Sequence, residues 1–396
     1  MTRREAVVAG AGIGGLVAAL HLAREGFSVA VHERAPVLEE FGAGLQLSPN
    51  ATRILDQFGV LERLKGLALE PDALVVRRAG DGAELMRMPL GENARRRWNA
   101  PYLVAHRADL QRALLDRVAQ EADVALALDS AVRGFAADGA RLRVGVKRGL
   151  LSLETAADLL VGADGLRSAV RERLGLGGPK DIVFTGNVAW RALIDAQRLP
   201  AALRRPETNL WLGPRGHLVH YPLRGGSVIN AVLVVEDTRR DALDEQGWNN
   251  PGDPSVIGFE VKDWARPVAE LIAAAEEWRG WPLFDRPPAS RWSAGPVTLL
   301  GDAAHPMAPF LAQGAAQAIE DAGALARQLR AEPDIARALQ AYERLRAPRA
   351  GRVQSEARRQ AGFYHVRGPA AFLRDLGLRM LGAERLAARY DWLYGV

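Results

Sequence analysis

Three glycines near the start of the chain have the spacing of a diphosphate-binding turn. Gly10, Gly12 and Gly15 match G-x-G-x-x-G. In this pattern the first glycine permits a tight turn, the second lets the backbone approach a pyrophosphate, and the third lets a helix pack on a sheet. That helix directs backbone N–H groups at the phosphates. Glu33 follows about 20 residues later, where a carboxylate can bind ribose hydroxyls. The pattern predicts a dinucleotide site without distinguishing FAD from NAD.

Two aspartates follow apolar runs elsewhere in the chain. Asp164 comes after the run 159–163, and Asp302 comes after the run 297–300. In an open α/β sheet, the carboxyl ends of the strands form the ligand crevice, where a carboxylate can bind a polyol chain. Either aspartate could instead cap the next helix. Helix capping alone is a weaker explanation because the chain has three turns at strand ends: the glycine-rich turn and the turns that carry the two aspartates.

A third group of residues could supply acid–base chemistry. His217, His220 and Tyr221 lie in a short β-rich run. If the run is a strand, its side chains alternate, so His217 and Tyr221 share one face and His220 lies on the other. Histidine has a pKa near neutrality, which suits a general base. The alternative is a buried structural histidine, and this interpretation is favoured for His220.

The elements that must position these residues follow from hydrophobic periodicity. A strand at 6–9, a helix at 14–24 ended by Gly26 and a strand at 27–33 form a βαβ start. From about 182 to 236 the runs are β-rich with turn residues between them, which predicts an antiparallel sheet and a second domain. Further predictions are helices at 51–65, 108–122 and 315–330, strands at 158–163 and 297–300, a loop or insertion at 237–258, and a largely helical segment at 333–396.

Composition limits the class of protein. A chain of 396 residues predicts two domains. No apolar run approaches the roughly 20 residues of a membrane span, and a strand that begins near residue 6 leaves no room for a signal peptide. Because cysteine is absent, disulfides and thiolate metal sites are excluded, and we expect a cytoplasmic enzyme with no metal. The net charge of +5 comes from scattered arginines, so nucleic-acid binding is the weakest interpretation.

Together the three turns resemble those of the class A flavoprotein monooxygenases, the family of para-hydroxybenzoate hydroxylase. They occur in that family's order over nearly the whole chain. The sequence is most similar to the branch with salicylate hydroxylase, 3-hydroxybenzoate 6-hydroxylase and 6-hydroxynicotinate 3-monooxygenase. The stretches that carry this similarity are 42–50, 190–194, 212–214, 301–321 and 390–395.

The resemblance implies an α/β fold of three parts. A discontinuous Rossmann-like FAD-binding domain would comprise 1–178 and 284–345, in the para-hydroxybenzoate hydroxylase fold. An antiparallel β-sheet substrate domain would comprise 179–283, and C-terminal helices would comprise 346–396. A single G-x-G-x-x-G fits a family in which NADH or NADPH binds transiently in a cleft.

The resemblance also implies which residues bind FAD. Glycines would hold the diphosphate, Glu33 the adenosine ribose, and Asp302 the ribityl chain. Asp164 would serve both FAD and the nicotinamide cofactor. A helix N-terminus would face the flavin pyrimidine edge and stabilise charge on the reduced ring. The full set is Gly10, Gly12, Gly14, Gly15, Glu33, Arg34 beside the adenine, Arg107 beside the flavin, Asp164, Asp302, Gly314 and Ala315.

In the family's mechanism, NAD(P)H reduces the flavin and O2 then forms a C4a-hydroperoxide that attacks a phenolate. The protein must supply a base and a dry pocket. His217 would be the base, directly or through water, and Tyr221 would bind the substrate, because the branch has a histidine and a tyrosine four residues apart there. Pro309 would place its carbonyl over the reacting position. Further lining residues would be Gln46, Ser48 and Phe310, the last of which replaces a histidine or tyrosine of some relatives.

The predicted function is therefore an FAD-dependent hydroxylase of a small hydroxylated aromatic acid that resembles salicylate, hydroxybenzoate or hydroxynicotinate. Two alternatives remain. One is a hydroxylase of a larger fused-ring or quinolone-like substrate, which an open pocket at 237–258 would favour. The other is a flavin-binding dehydrogenase or sensor without hydroxylation. The sequence leaves the choice between monomer and homodimer open.

Overall fold

The structure is a computed structural model that describes residues 3–38, 44–237, 250–252, 257–258 and 260–395. Gly42 and Ala43, from one of the stretches typical of the family branch, lie outside the described residues. Most of the predicted loop at 237–258 also lies outside them. An open pocket at this loop, which would favour a fused-ring substrate, is therefore not described.

The described residues contain nineteen strands. They are β1 (Arg4–Ala9), β2 (Phe27–His32), β3 (Gly44–Leu47), β4 (Ala73–Arg78), β5 (Glu84–Pro89), β6 (Leu103–His106), β7 (Val124–Ala127), β8 (Ser130–Asp138), β9 (Arg141–Arg148), β10 (Leu151–Ala157), β11 (Leu159–Gly162), β12 (Val183–Asp195), β13 (Glu207–Gly213), β14 (Gly216–Leu223), β15 (Val228–Glu236), β16 (Asn250–Gly252), β17 (Trp278–Asp285), β18 (Ser293–Ala294) and β19 (Val297–Leu299).

Eleven α-helices accompany these strands in the described part of the chain. They are α1 (Ile13–Arg24), α2 (Pro49–Asp56), α3 (Val60–Arg63), α4 (Glu92–Trp98), α5 (Arg107–Val118), α6 (Ala169–Arg173), α7 (Arg266–Ala274), α8 (Gly314–Ala331), α9 (Ile335–Tyr364), α10 (Gly368–Leu381) and α11 (Ala383–Tyr394). The single helix predicted at 51–65 is wrong in detail. The chain forms α2 and α3 instead, because Gly59 adopts φ 67° between them.

The first sheet is the predicted Rossmann-like sheet, and this prediction is confirmed. Its order is β18-β19-β11-β1-β2-β7, and the strands from β19 to β7 are parallel. The three neighbouring strands β1, β11 and β19 therefore end at the same edge. Their carboxyl ends lead to Gly10, Asp164 and Asp302, so residues far apart in sequence converge on one crevice.

The second sheet has eight strands in the order β16-β17-β12-β15-β14-β13-β4-β5. Its centre is antiparallel, as predicted. The domain boundary predicted at residue 178 stays a prediction. Strands from both sides of it pair in the second sheet. Strands β4 and β5 precede that boundary, and β4 pairs in parallel with β13.

Apolar layers cover both faces of the second sheet. One face carries α7 and a core that includes Trp211, Trp264 and Trp278. The other face packs against the C-terminal helices through Tyr364 and Leu393. Helix α9 spans 30 residues and so reaches from the first sheet to the second. Within the described residues, none of the helices combines the length and apolar character that crossing a bilayer requires.

Candidate active site

The glycine-rich turn is held by close backbone approaches. Gly10 adopts φ 101°, and a Cβ atom there would lie 2.5 Å from the carbonyl oxygen of Ala163. A Cβ at Gly15 would lie 2.0 Å from the carbonyl oxygen of Gly10, and one at Gly14 would lie 2.8 Å from Leu300. The fold therefore requires glycine at these three positions whether or not a ligand binds.

Gly12 is a glycine for a different reason. It caps α1 with φ −68°, which any residue can adopt, and a Cβ there would meet no atom within 4 Å. It lines a cavity at the N-terminus of the helix. The open space is therefore where a phosphate can approach the backbone N–H groups, and this cradle fits the diphosphate of FAD.

Glu33 and Arg34 follow β2 beside the turn. The two carboxylate oxygens of Glu33 accept backbone hydrogen bonds from Ala11 at 2.8 Å and Ala35 at 2.9 Å. These bonds hold the carboxylate beside the glycine turn, although Glu33 is not part of the cavity lining. Each oxygen keeps a second lone pair for a ribose hydroxyl. Arg34 is exposed at the surface and is not part of the cavity lining.

One cavity of about 370 Å³ runs from the glycine turn to the second sheet. Its wall combines residues from both sheets, with Gly12 and Gly14 at one end and His217 and Tyr221 at the other. Most of the lining between them is apolar, including Val219, Val232, Val234, Leu45 and Met307. The cavity therefore joins the predicted cofactor site to the predicted substrate site.

Charged and helical groups lie near the cofactor end. Arg107, Asp302, Gly314 and Ala315 line the cavity there, and α8 begins at Gly314. Asp302 is exposed on the cavity wall, although many protein atoms lie near its carboxylate. Its pKa is raised by desolvation, against the lowering effects of His305 and Arg107. An exposed carboxylate at the end of a strand can accept hydrogen bonds from a bound polyol.

Asp164 caps the next helix, which the sequence analysis had kept as an alternative to ligand binding. Its carboxylate accepts hydrogen bonds from the Ser168 hydroxyl at 2.5 Å and from the backbone of Ala169 at 2.7 Å. It thus caps the start of α6. Its neighbours Ala163 and Gly165 line the cavity, whereas Asp164 does not. A role of Asp164 toward the cofactors stays a proposal.

The structure places His217 and Tyr221 on the cavity face of β14. Both side chains are buried. The Tyr221 ring lies so close to β3 that a Cβ at Gly44 would be 2.7 Å from the phenolic oxygen. Burial, and to a lesser extent the neighbouring His365, holds the pKa of His217 well below its usual value. His217 is therefore a neutral imidazole at physiological pH.

His220 lies on the opposite face of β14, away from the cavity. Its Nδ1 accepts a hydrogen bond from the indole of Trp211 at 3.0 Å. Burial, followed by the charge of Arg77, lowers the pKa of His220 to about 3. This is the environment of a structural histidine in a core.

The remaining predicted lining residues divide into two groups. Gln46 and Pro309 line the cavity, and Gln46 accepts a hydrogen bond from Tyr102 at 2.5 Å. Ser48 is buried behind the wall and accepts a hydrogen bond from Gln313 at 2.8 Å. Phe310 is also outside the lining, where it packs against His217 with 5.6 Å between ring centroids.

Sequence reasoning missed Arg191 as a cavity residue. Arg191 projects from β12 into the cavity and lies in register with Val232, which pairs with Val219 between His217 and Tyr221. Alternation of side chains along β12 predicts that Arg191 lies on one face of the sheet, but not which face. Only the pairing of three strands shows that this face is the one that carries His217.

Comparison with known proteins gives a consistent result. Residues 3–357 match the family model described as "FAD binding domain". The chain is 37% identical over 390 residues to the 3-hydroxybenzoate 6-hydroxylase of Polaromonas naphthalenivorans, covering 98% of this chain and 95% of that protein. It is 40% identical over 402 residues to the 3-amino-4-hydroxybenzoate 2-monooxygenase PtmB3 of Streptomyces platensis, covering 99% and 96%.

A solved structure extends the similarity to three dimensions. The structure of Klebsiella pneumoniae HpxO complexed with FAD and uric acid superposes with a TM-score of 0.85 and 26% identity. The similarity covers 98% of this chain and 95% of that one. The fold is thus shared with a protein whose structure holds FAD.

Proposed function

The chain belongs to the FAD-binding domain family and, within it, to the class A flavoprotein hydroxylases, and from this premise we propose that it hydroxylates a small hydroxylated aromatic acid. It is an FAD-dependent monooxygenase that uses O2 and a reduced nicotinamide. When bound, FAD supplies the oxygen-activating chemistry. The proposed substrate class rests on one observation. Arg191, His217 and Tyr221 line a single, mostly apolar cavity that also reaches the glycine turn.

Arg191 is suited to bind the carboxylate of the substrate. A guanidinium presents a planar fork of N–H donors that matches a carboxylate. Arg191 and Val219 are separated by two strand spacings, about 10 Å between backbones. We propose that a single aromatic ring binds between the guanidinium and the His217–Tyr221 pair, with its acid group toward Arg191 and its hydroxyl toward His217.

His217 is suited to accept the proton of the substrate hydroxyl. Its ring is neutral at physiological pH because burial lowers its pKa, so it can act as a base without first losing a proton. A phenolate is a much stronger nucleophile than a phenol. Tyr221 remains protonated, because burial raises its pKa, and can donate a hydrogen bond to the substrate.

The surrounding wall serves to exclude water. Val219, Val232, Val234 and Met307 line the cavity between the two ends, and an apolar wall limits the side reactions that water would allow during oxygen transfer. Pro309, at the same wall, would direct its backbone carbonyl at the reacting position.

Several finer assignments belong to the same proposal. Gly12, Glu33 and Asp302 would hold the diphosphate, ribose and ribityl groups of FAD. Either NADH or NADPH would bind transiently near the cavity mouth. The protein would act as a monomer or homodimer. A cytoplasmic location is supported by the need for a reduced nicotinamide.

A panel of hydroxybenzoates and hydroxypyridines tests the proposal. The purified holoenzyme is mixed with each compound, and NADH or NADPH oxidation is measured together with hydroxylated product. We expect one or more acids to stimulate oxidation and yield product, and the matching phenols without a carboxylate to be poor substrates. Equal turnover of acids and unsubstituted phenols would contradict the assigned role of Arg191.

A further inference from the structure

A short series of polar side chains leads from the cavity to the protein surface. Nδ1 of His217 lies 2.9 Å from Nε2 of His365, so the two rings share a hydrogen bond. Nδ1 of His365 lies 3.7 Å from Oε1 of Glu236. His365 is nearly buried, whereas 36% of the Glu236 side chain is exposed. The series therefore begins at a cavity residue and ends in solvent.

Three elements build this arrangement. His217 comes from β14, Glu236 ends β15, and His365 caps the C-terminus of α9. The rings of Tyr364 and Phe310 pack against His217 at centroid distances of 5.0 and 5.6 Å. These contacts hold the two imidazoles in reach of each other and cover them from water.

Among the described residues, the charged groups that act on His365 have opposite signs. Arg367 donates a hydrogen bond to Glu236 at 2.8 Å. Arg374 is buried nearby and donates to the Tyr364 carbonyl at 2.9 Å. Desolvation lowers the pKa of His365, Glu236 opposes that shift, and Arg367 and Arg374 add to it. Both imidazoles of the pair are therefore neutral near pH 7.

The chemistry of a neutral imidazole makes this geometry informative. Each ring has one donor and one acceptor nitrogen. If Nδ1 of His217 donates to His365, then Nε2 of His217 is the acceptor nitrogen and can take a proton in the cavity. A buried imidazolium is costly, so a base that passes its second proton onward is favoured over one that keeps both.

We propose that His365 and Glu236 form a proton path that carries the substrate's hydroxyl proton from His217 to solvent. This inference rests on the proposed function. The substrate O–H bond breaks and its proton binds Nε2 of His217. The proton on Nδ1 of His217 moves to Nε2 of His365. The proton on Nδ1 of His365 then passes by way of a water to Glu236, which at 3.7 Å is beyond direct hydrogen-bond distance, and from Glu236 to solvent.

No electrons are exchanged along this path, and each proton gained is matched by one lost. The same path in reverse returns a proton to the product oxygen and restores both starting tautomers. His365 and Glu236 do not touch the substrate. They are positioning residues that act through His217.

The test measures how fast the bound probe ionises. The FAD-loaded protein is mixed with 3-hydroxybenzoate, and the ultraviolet band of the phenolate is followed after a rapid pH jump. For His365→Ala, we expect phenolate formation to slow by about 100-fold, the lower range of a general-base contribution. For Glu236→Gln, whose site is near solvent, we expect a smaller loss of about 10-fold.

Two further measurements separate a proton path from mere packing. Added imidazole should restore the rate in His365→Ala in proportion to its concentration, because it can enter the space left near the surface. His365→Gln should ionise the probe as slowly as His365→Ala but resist rescue, because its amide fills the space and cannot relay a proton. If His365→Ala does not fold, the ionisation rate of His365→Gln alone tests the proton path. His220→Gln is the matched control and should ionise the probe at the wild-type rate.

Two outcomes would overturn the proton path. One is wild-type ionisation rates in the folded His365→Gln variant. The other is a slow His365→Ala variant that binds the probe normally but gains nothing from imidazole. Failure of the proposed function looks different, because the wild-type protein itself would then form no hydroxylated product.

Discussion

The guanidinium of Arg191 lies over the indole of Trp281, with 5.0 Å between the guanidinium carbon and the ring centroid. The two residues come from the adjacent strands β12 and β17. A cation–π contact orients a guanidinium without neutralising its charge. The pair therefore places a guanidinium at the part of the cavity that also carries His217.

This relationship predicts that Arg191 governs binding of the acid group. Arg191→Met should raise the Kd for 3-hydroxybenzoate about 10- to 100-fold, because a hydrogen bond to a charged group contributes about 1.5–3 kcal/mol. FAD content should not change. The measurement is a titration of the flavin absorbance with ligand. Arg198→Met, at a surface site paired with Glu276, is the control. Wild-type affinity in Arg191→Met would refute the assignment.

His217 should determine both the rate and the acid limb of the pH profile. His217→Gln should lower kcat for hydroxylation by about 100- to 10,000-fold, while His220→Gln should remain close to wild type. The base must be unprotonated, and burial followed by His365 lowers its pKa. The acid limb of wild-type kcat/KM attributable to His217 should therefore lie below pH 6.5. A His217→Gln enzyme that hydroxylates normally across pH would remove His217 as the base.

The glycine turn offers a pair of substitutions with opposite consequences. Gly12→Val should fold with a Tm close to that of the apoprotein but bind no FAD, because its side chain enters the open cradle. Gly15→Val should fail to fold, because its Cβ would lie 2.0 Å from a backbone oxygen. Circular dichroism and bound-flavin absorbance distinguish the two. Retention of stoichiometric flavin in Gly12→Val would show that the diphosphate binds elsewhere.

A buried ion-pair network beneath α8 should set the acid stability. Asp321 binds His305 at 2.6 Å and Arg346 at 2.7 Å. Burial raises the pKa of Asp321, but its interactions with His305 and Arg346 outweigh burial and lower the pKa to about 2. A depressed folded-state pKa contributes stability above the unfolded-state value of about 4, which is lost as pH falls through about 2.

Urea unfolding between pH 7 and pH 2 tests this dependence. Asp321→Asn should be less stable than wild type at pH 7, and the difference in unfolding free energy should narrow by about 2 kcal/mol as pH falls from about 4 to 2. Asp116→Asn, from a half-exposed pair with Arg112, should match wild type throughout. A difference that stays constant to pH 2 would mean that Asp321 does not titrate in this window.

The sequence was most informative where a motif is local. The turn at Gly10–Gly15 and the strand end before Asp302 each depend on a few consecutive residues, and the predicted crevice forms where three such ends meet. Alternation along one strand likewise separated His217 from His220. In contrast, the orientation of Asp164 toward its own helix depends on whether Ser168 and Ala169 lie within reach of the carboxylate.

Features that depend on distant pairing were not predictable from the sequence. Arg191 faces the cavity only through the register of β12 with β15 and β14. His365 meets His217 across 148 positions, because the 30-residue helix α9 ends beside β14. The pairing of β4 with β13 across a predicted boundary has the same origin. Each requires the tertiary arrangement, which composition and local periodicity do not encode.

The fate of molecular oxygen in the holoenzyme tests the proposed hydroxylase activity most directly. Protein with bound FAD, a reduced nicotinamide and the preferred aromatic acid is exposed to oxygen gas enriched in the heavy isotope. We expect one heavy oxygen atom in the ring hydroxyl of each product molecule and about one product per nicotinamide oxidised. Hydrogen peroxide as the sole oxygen product with every acid in the panel, or a folded protein that refuses FAD, would contradict it.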